Sequence, residues 1–358
     1  METSAFVNYI KKFHPGIVLR ITKSLNGDDN PTPYLFKSLL RPKYSPDGNW
    51  EALSQSNIYV SADYVAMDSK SPLKMRDSGG KASGKIPKQM MELWLNENQL
   101  TAIDTMIAQK IPEALILAEL FQDDKRVIAG AYELNESTFL EGFSTGICVV
   151  TDAENVGTGI RLDYGYKAAN KFAVDKLLTD PTAKIFDRLG AVMKKGKAKG
   201  VRVAYTDSDT IAAIASTNQA KEMYAFSQNF VGGNIPEPDL EQMNAVFSKR
   251  LGITFFPIDR VITREKNATR TEYSPWKAGM ITLAPSGPVG DLVWSRLAEM
   301  GRPVAGVEYQ TVDQYMLVSK YRKNDPAVSE WTKMQARVAP VISNIDAIFQ
   351  LDTTLVEE

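Results

Sequence analysis

The chain has 358 residues, of which 44% are hydrophobic and 24% charged, and its formal net charge is −1. These values are ordinary for a globular protein, so they exclude a disordered or collagen-like chain and a surface devoted wholly to nucleic acid. With one cysteine and one histidine, the sequence also excludes a disulfide-stapled secreted domain and most Cys/His zinc sites.

The N-terminal residues carry no charged leader followed by an apolar block. No apolar run approaches the length of about 18 residues that a membrane span needs. We therefore expect a soluble protein without a signal peptide or membrane contact, made in a reducing compartment.

The first predicted element is a helical segment within residues 5–25, which we expect Pro15 and Gly16 to interrupt. His14 lies in this segment without an identifiable partner, so we predict a structural role for it. A turn-rich connector is predicted over residues 26–33 and a strand over residues 58–65.

A basic segment follows at residues 69–89. Residues 1–90 hold 13 Lys or Arg against 8 Asp or Glu, a balance of +5, whereas the remainder of the chain carries −6. The segment is rich in Gly, Ser and Pro and cannot bury a core of its own. It is either a solvated loop or an arm that binds an acidic partner through Lys70, Lys74, Arg76, Lys81, Lys85 and Lys88.

The middle of the chain predicts a strand over residues 90–95, helices over residues 97–109 and 123–144, and a new turn at Pro112. The second helix is the longest helical pattern, and one face of it carries Ile128, Tyr132, Phe139 and Phe143. A hairpin is predicted over residues 146–151 and 159–164, with Cys148 as a buried thiol.

From residue 180 the pattern becomes mixed helix and strand. A helix is predicted to start with Asp180 as N-cap and to end at Gly196 in the left-handed conformation. Further helices are predicted at residues 208–209 onward, 240–251 and 291–300. Strands are predicted at residues 201–205, 253–259 and 280–285 and over most of residues 308–355, with a turn at 324–326.

Two motifs are candidates for chemistry. Residues 79–85 fit the first seven positions of a phosphate-binding loop, but Ile86 replaces the required Ser or Thr and Pro87 follows it. Asp207 and Asp209 follow a predicted strand and could hold magnesium, although a helix N-cap is the commoner use of such a sequence. We predict no catalytic residue, metal ligand or cofactor.

Two stretches resemble a known family. The first is similar to major capsid proteins of tailed bacteriophages, in particular the lambda-type "major capsid protein E" family. It consists of residues 123–126 (DDKR), the helix to Phe143, residues 146–150 (GICVV) and residues 160–165 (IRLDYG). The second lies in the C-terminal part and resembles later strands of that family. It consists of residues 276–285, 324–326, 333–341 and 344–346.

The resemblance implies an α+β chain with the Hong Kong 97-type capsid fold. On that map, residues 1–50 form the N-terminal arm, 51–96 the extension loop and 97–179 the spine helix with part of the peripheral domain. Residues 180–300 form the axial domain, and residues 301–358 form the return strands of the peripheral domain and the C-terminus.

The resemblance implies a non-enzymatic shell protein of a tailed double-stranded DNA phage. Copies would assemble in the host cytoplasm as hexamers and pentamers into an icosahedral capsid around the genome. Portal, scaffolding and decoration proteins are further implied partners, and contact with packaged DNA would be weak and non-specific. The basic extension loop would then bind the acidic body of a neighbouring copy.

Three alternatives stay open at this point. An encapsulin-like nanocompartment shell shares the fold, and a cargo-peptide groove would distinguish it. A metal- or nucleotide-dependent α/β enzyme would use Asp207 and Asp209. A tail or portal component would form rings or tubes in place of closed shells.

Overall fold

Each of the two units of the fold is assembled from three separate stretches of chain. The first unit comprises Met1–Trp50, Gly84–Ser137 and Asp291–Pro340, and the second comprises Glu51–Ser83, Thr138–Gly290 and Val341–Glu358. The computed structural model describes residues 2–27, 33–53, 81–150, 160–229, 235–266 and 268–357. The predicted strand at residues 58–65 and most of the predicted connector at residues 26–33 lie outside them.

The elements of the first part of the chain are as follows. In chain order they are α1 (Val7–Asn26), α2 (Leu35–Leu39), β1 (Leu40–Tyr44), β2 (Asn49–Leu53), β3 (Lys81–Lys85), β4 (Lys88–Leu95), α3 (Glu97–Ala108), α4 (Glu113–Leu120), α5 (Gln122–Thr145), β5 (Ile147–Val150), β6 (Ile160–Asp163) and β7 (Lys171–Val174).

The elements of the later part of the chain complete the fold. They are α6 (Ile185–Gly196), β8 (Val201–Thr206), α7 (Ser208–Ser216), α8 (Asn218–Ser227), α9 (Leu240–Leu251), β9 (Thr254–Pro257), β10 (Ile262–Lys266), β11 (Thr269–Tyr273), β12 (Met280–Pro285), β13 (Gly290–Trp294), α10 (Ala298–Gly301), β14 (Glu308–Val312), β15 (Met316–Lys323), β16 (Ser329–Ile342) and β17 (Phe349–Val356).

The first unit contains a sheet of order β1-β13-β16-β15-β14, and β4 also pairs with β16. Its apolar core joins α1 to the α3–α4 pair through buried side chains of Phe6, Ile10, Leu95, Leu100, Ile103, Ile116, Leu120 and Phe121. Ile10, His14 and Val18 form the buried stripe of α1. This stripe extends on both sides of Pro15, so the helix is continuous where the sequence predicts an interruption.

The second unit contains a mixed sheet of order β7-β17-β12-β8-β9. The pairs β17–β7 and β8–β9 are parallel, whereas β12 is antiparallel to both of its neighbours. Helices α6, α7 and α9 contribute to one apolar cluster with these strands. Helix α6 contributes a buried stripe made of Ile185, Leu189, Val192 and Met193.

Several predicted elements are confirmed by the structure. The longest helix is predicted within one residue at each end, and its four predicted core residues are fully buried. The predicted helix at residues 240–251 has the same bounds, with Gly252 in the left-handed conformation at φ 73°. Strand β4, helix α3 and the pairing of β5 with β6 are also confirmed.

Three predictions are wrong at their boundaries or in their type. The predicted helix at 291–300 is strand β13 followed by the short helix α10, because its spacing of apolar residues fits either structure. Asp180 caps no helix; its carboxylate accepts from the Thr182 N–H at 2.8 Å in a turn, and α6 starts at Ile185. Gly196 is the last residue of α6 with φ −81°, and the left-handed glycine is Gly200 at φ 78°.

Candidate assembly surface

The predicted basic contact residues fall into two groups. Lys70, Lys74 and Arg76 lie outside the described residues. Lys81 and Lys85 are the terminal residues of β3, and Lys88 is the first residue of β4. Lys85 and Lys88 are exposed. The structure therefore brings these last three lysines onto two consecutive strands and leaves the prediction of their contacts untested.

Strand β4 has an inner and an outer face, which differ in what they contact. On the inner face the side-chain amide of Gln89 donates to the side-chain oxygen (Oδ1) of Asn135 in α5, at 2.6 Å. Met91 also points toward α5. Its sulfur lies so close to Gly130 of that helix that a Cβ atom added to the glycine would be only 2.6 Å from it. The alternate residues face away, and Met90 and Trp94 are each 55% exposed.

The outer face continues from β4 across β16 as an aromatic patch. Trp94 lies opposite Trp331 in the antiparallel register, with ring centroids 5.1 Å apart. Lys323 Nζ lies 3.6 Å from the centroid of the Trp331 ring. Sequence reasoning missed this patch, although the alternation of Lys88, Met90, Glu92 and Trp94 in a predicted strand is a signal for it.

A buried ionic network connects α1 to the rest of the first unit. His14 Nε2 lies 2.9 Å from Asp124 Oδ1, and Lys320 Nζ lies 2.8 Å from Asp124 Oδ2. The side chains of His14 and Asp124 are 0% exposed. Lys320 also donates to the Leu120 carbonyl at 3.1 Å and to the Thr332 hydroxyl at 2.8 Å. His14 is structural, as predicted, but it has a partner that the sequence did not reveal.

The charge state of Asp124 follows from this network. Burial alone would raise the pKa of this carboxyl, but the Lys320 ammonium and the contact with His14 outweigh burial and hold the pKa below its ordinary value. The carboxylate is therefore charged at neutral pH, and it is what compensates the buried ammonium of Lys320.

A second network holds the turn between β14 and β15. Asp313 and Gln314 are the first two of the three residues between these strands, and both adopt positive φ, 48° and 68°. The Tyr132 hydroxyl donates to the Asp313 carboxylate at 2.6 Å, and Lys37 forms an ion pair with the same carboxylate. This turn is thereby joined to α5 and α2. Burial lowers the pKa of Lys37 even though Asp313 opposes the shift.

The comparisons with known proteins place the fold. No family model and no curated protein matches the chain. A solved structure of a prophage protein of Escherichia coli CFT073, assigned as a capsid protein, is 12% identical with a TM-score of 0.59, over 94% of this chain and 98% of that one. A phage-related protein of Bordetella bronchiseptica RB50 is 11% identical with a TM-score of 0.52, over 94% and 96%.

The chain has the Hong Kong 97-type capsid fold. The likeness extends over nearly the whole of both compared chains, so it concerns the complete architecture and not one motif. The α+β class and the fold predicted from the sequence are confirmed.

On this Hong Kong 97-type fold the candidate chemical motifs have structural explanations. Asp207 is the N-cap of α7 and accepts from the Thr210 N–H at 2.7 Å and the Gly279 N–H at 3.2 Å. Lys81–Lys85 form a strand, where a phosphate-binding loop would need a turn before a helix. Over the described part of the chain, no group of three or more His, Cys, Asp or Glu could hold a metal ion.

Two further expectations concern Cys148 and the membrane. Cys148 is a buried free thiol whose Sγ lies 3.4 Å from a Glu141 carboxylate oxygen. Burial and this carboxylate raise the thiol pKa, so the thiol is poorly reactive. Within the described ranges, no helix has both the length and the apolar character required to cross a bilayer.

Proposed function

We propose that this chain is the major capsid protein of a tailed double-stranded DNA phage. Copies assemble as hexamers and pentamers into an icosahedral shell that encloses the genome, and the chain acts by association without catalysis. The observation that carries the proposal is the full-length fold likeness to the Escherichia coli prophage protein assigned as a capsid protein.

The distribution of charge supports association between copies. The front of the sequence is basic and the remainder acidic, so different surfaces of two copies attract one another. Heterologous contacts of this kind close into rings, as capsomers require. Each exposed ion pair contributes only about 0–1 kcal/mol, but many repeated pairs favour correct register and rapid encounter.

The remaining expectations belong to the same proposal. Portal, scaffolding and decoration proteins are partners of the shell, contact with packaged DNA is weak and non-specific, and assembly occurs in the host cytoplasm. The arm, extension loop, spine, peripheral and axial regions keep the residue ranges that the resemblance implies.

Electron microscopy of the purified protein tests the proposal directly. We expect closed shells or capsomers in negative stain, with assembly that depends on ionic strength because exposed charges are screened by salt. Dispersed monomers at every salt concentration would contradict the proposed function.

The charge variant K81E/K85E/K88E tests how assembly is driven. It should impair shell formation and leave the circular dichroism spectrum unchanged, since Lys85 and Lys88 are exposed. The matched control is K125E/K197E/K249E, which makes the same change in net charge at three exposed lysines elsewhere. Normal, salt-insensitive shells from the first variant would show that these lysines do not guide assembly.

A further inference from the structure

Strands β1 and β4 are outer strands of the first unit's sheet, and they differ in how they resist pairing with another chain. Strand β1 ends the sheet order, and its exposed residues include Arg41, Pro42 and Lys43. Proline and charged side chains are the usual means by which a protein protects a sheet edge. Strand β4 has eight residues and carries charges only at Lys88 and Glu92, with no proline, so it is less protected than β1.

The second edge of β4 has no strand partner within the described part of the chain. All eight of its residues pair with β16, from Leu95 opposite Glu330 to Lys88 opposite Arg337. The sheet order gives β4 no second neighbour. A long strand with one open edge presents a row of backbone N–H and C=O groups that another strand can satisfy.

The outer face beside this edge has the chemistry of a contact surface. Met90 and Trp94 are exposed next to Trp331 and its stacked lysine, Lys323. Exposed aromatic and methionine side chains are enriched where proteins bind one another. Lys88 is the basic residue on the same face, and Glu92 is the acidic one.

The order of these charges makes β4 complementary to an antiparallel copy of itself. If Met90 lies opposite Met90 of a second strand, each Lys88 lies directly opposite a Glu92. A shift of the register by two residues in either direction loses this match. In one direction Lys88 comes to lie opposite Met90 of the second strand, and in the other it lies opposite Trp94. Pro87, which has no N–H, stays outside the paired residues.

We propose that β4 pairs antiparallel with β4 of a second copy of this chain, around a twofold axis at Met90. The pairing rests on the proposed function, because it specifies one contact through which capsid subunits would associate. It joins two sheets edge to edge and places Met90 of one copy beside Met90 of the other, on the same outer face as Trp94.

A disulfide tests the register. In M90C the two new cysteines would be directly opposed, at a Cα separation of about 4.5–5.5 Å, which a disulfide can span. We expect a covalent dimer on non-reducing gels of the assembled, oxidised protein, and no such dimer in the control K43C, on the protected edge β1. Native Cys148 is buried and does not compete. Assembled M90C that stays monomeric on the gel would overturn the proposed pairing.

Charge exchange tests the same contact without covalent trapping. K88E or E92K alone should weaken dimer formation by about tenfold, because two symmetric pairs then oppose like charges. The double variant K88E/E92K should restore it, since every pair is again opposite in sign. Analytical ultracentrifugation measures the association, and circular dichroism verifies the fold. Failure of the double variant to recover while it remains folded would contradict the pairing.

The two proposals fail in different ways. If M90C assembles into normal shells without forming the disulfide, and K88E also assembles normally, the β4 contact is refuted and the capsid function is not. A wild-type protein that never associates would refute the capsid function itself.

Discussion

The two units of this chain build their interiors from different materials. In the second unit, the core consists of aliphatic and aromatic side chains, with Phe186 and Phe247 stacked at a centroid distance of 3.9 Å and Phe255 edge-on at 4.8 Å from Phe247. The interior of the first unit also holds an ionised network, in which Asp124 contacts His14 and Lys320.

This difference indicates which unit depends for its stability on specific pairs of side chains. Apolar packing is non-directional, so a core such as that of the second unit is stabilised mainly by area and fit. A buried ion pair contributes little net stability but makes the loss of one partner costly. The first unit should therefore be the more sensitive to pH and to single charge removals.

The largest expected effect is in the second unit. F247A should lower the free energy of unfolding by about 4 kcal/mol, because it removes a fully buried ring that contacts two other rings. Urea unfolding followed by circular dichroism measures the loss. F226A is the control, since the same truncation at a side chain that is 76% exposed should change little. Equal losses in the two variants would show that the stacked core is not the source of stability.

Removal of Asp124 is expected to come next. D124A should cost the first unit about 3 kcal/mol, because it leaves the ammonium of Lys320 buried without its counter-charge. The double variant D124L/K320M replaces both charges by apolar groups and should recover most of this loss. If the double variant is as unstable as D124A, packing and not charge compensation explains the effect.

The pH dependence of the first unit follows from the same carboxyl. The pKa of Asp124 is lowered in the folded protein, so its contribution is present above the ordinary aspartate value of about 4 and is lost as pH falls through the folded value. Burial raises the pKa of Glu330, which acts in the opposite sense. We expect lower hydrogen-exchange protection factors in α1 below about pH 4, and a smaller loss of protection in D124L/K320M. Identical acid profiles for both proteins would exclude Asp124 as the cause.

The comparison of the units also explains what sequence reasoning could reach. Helix α9 was predictable because its signals are local: Asp239 and Gln242 form a capping box and Gly252 ends the helix. The continuity of α1 through Pro15 was not, because it depends on packing against residues far along the chain. Tertiary packing overrides local propensity in such cases.

The candidate site shows the same limit. The sequence identifies the basic residues around Lys85 and Lys88, but it does not show that β4 pairs with β16 and brings Trp94 against Trp331. The contact between His14 and Asp124 joins residues 110 positions apart. A local pattern in the sequence can show which residues share a face, but it does not identify a partner this distant, so only the folded structure reveals the two contacts.

The smallest expected effect concerns the hairpin turn in the first unit. Gln314 is exposed and adopts a φ of 68°, where a side chain is strained and glycine is not. Q314G should therefore raise the free energy of unfolding by about 1 kcal/mol. The matched control T311G lies three residues earlier in strand β14 and should lower it by about 0.5–1 kcal/mol, because glycine weakens a strand. A loss of stability in Q314G would mean that the Gln314 side chain contributes more than its backbone strain costs, and the turn would then depend on specific partners as the ionic network does.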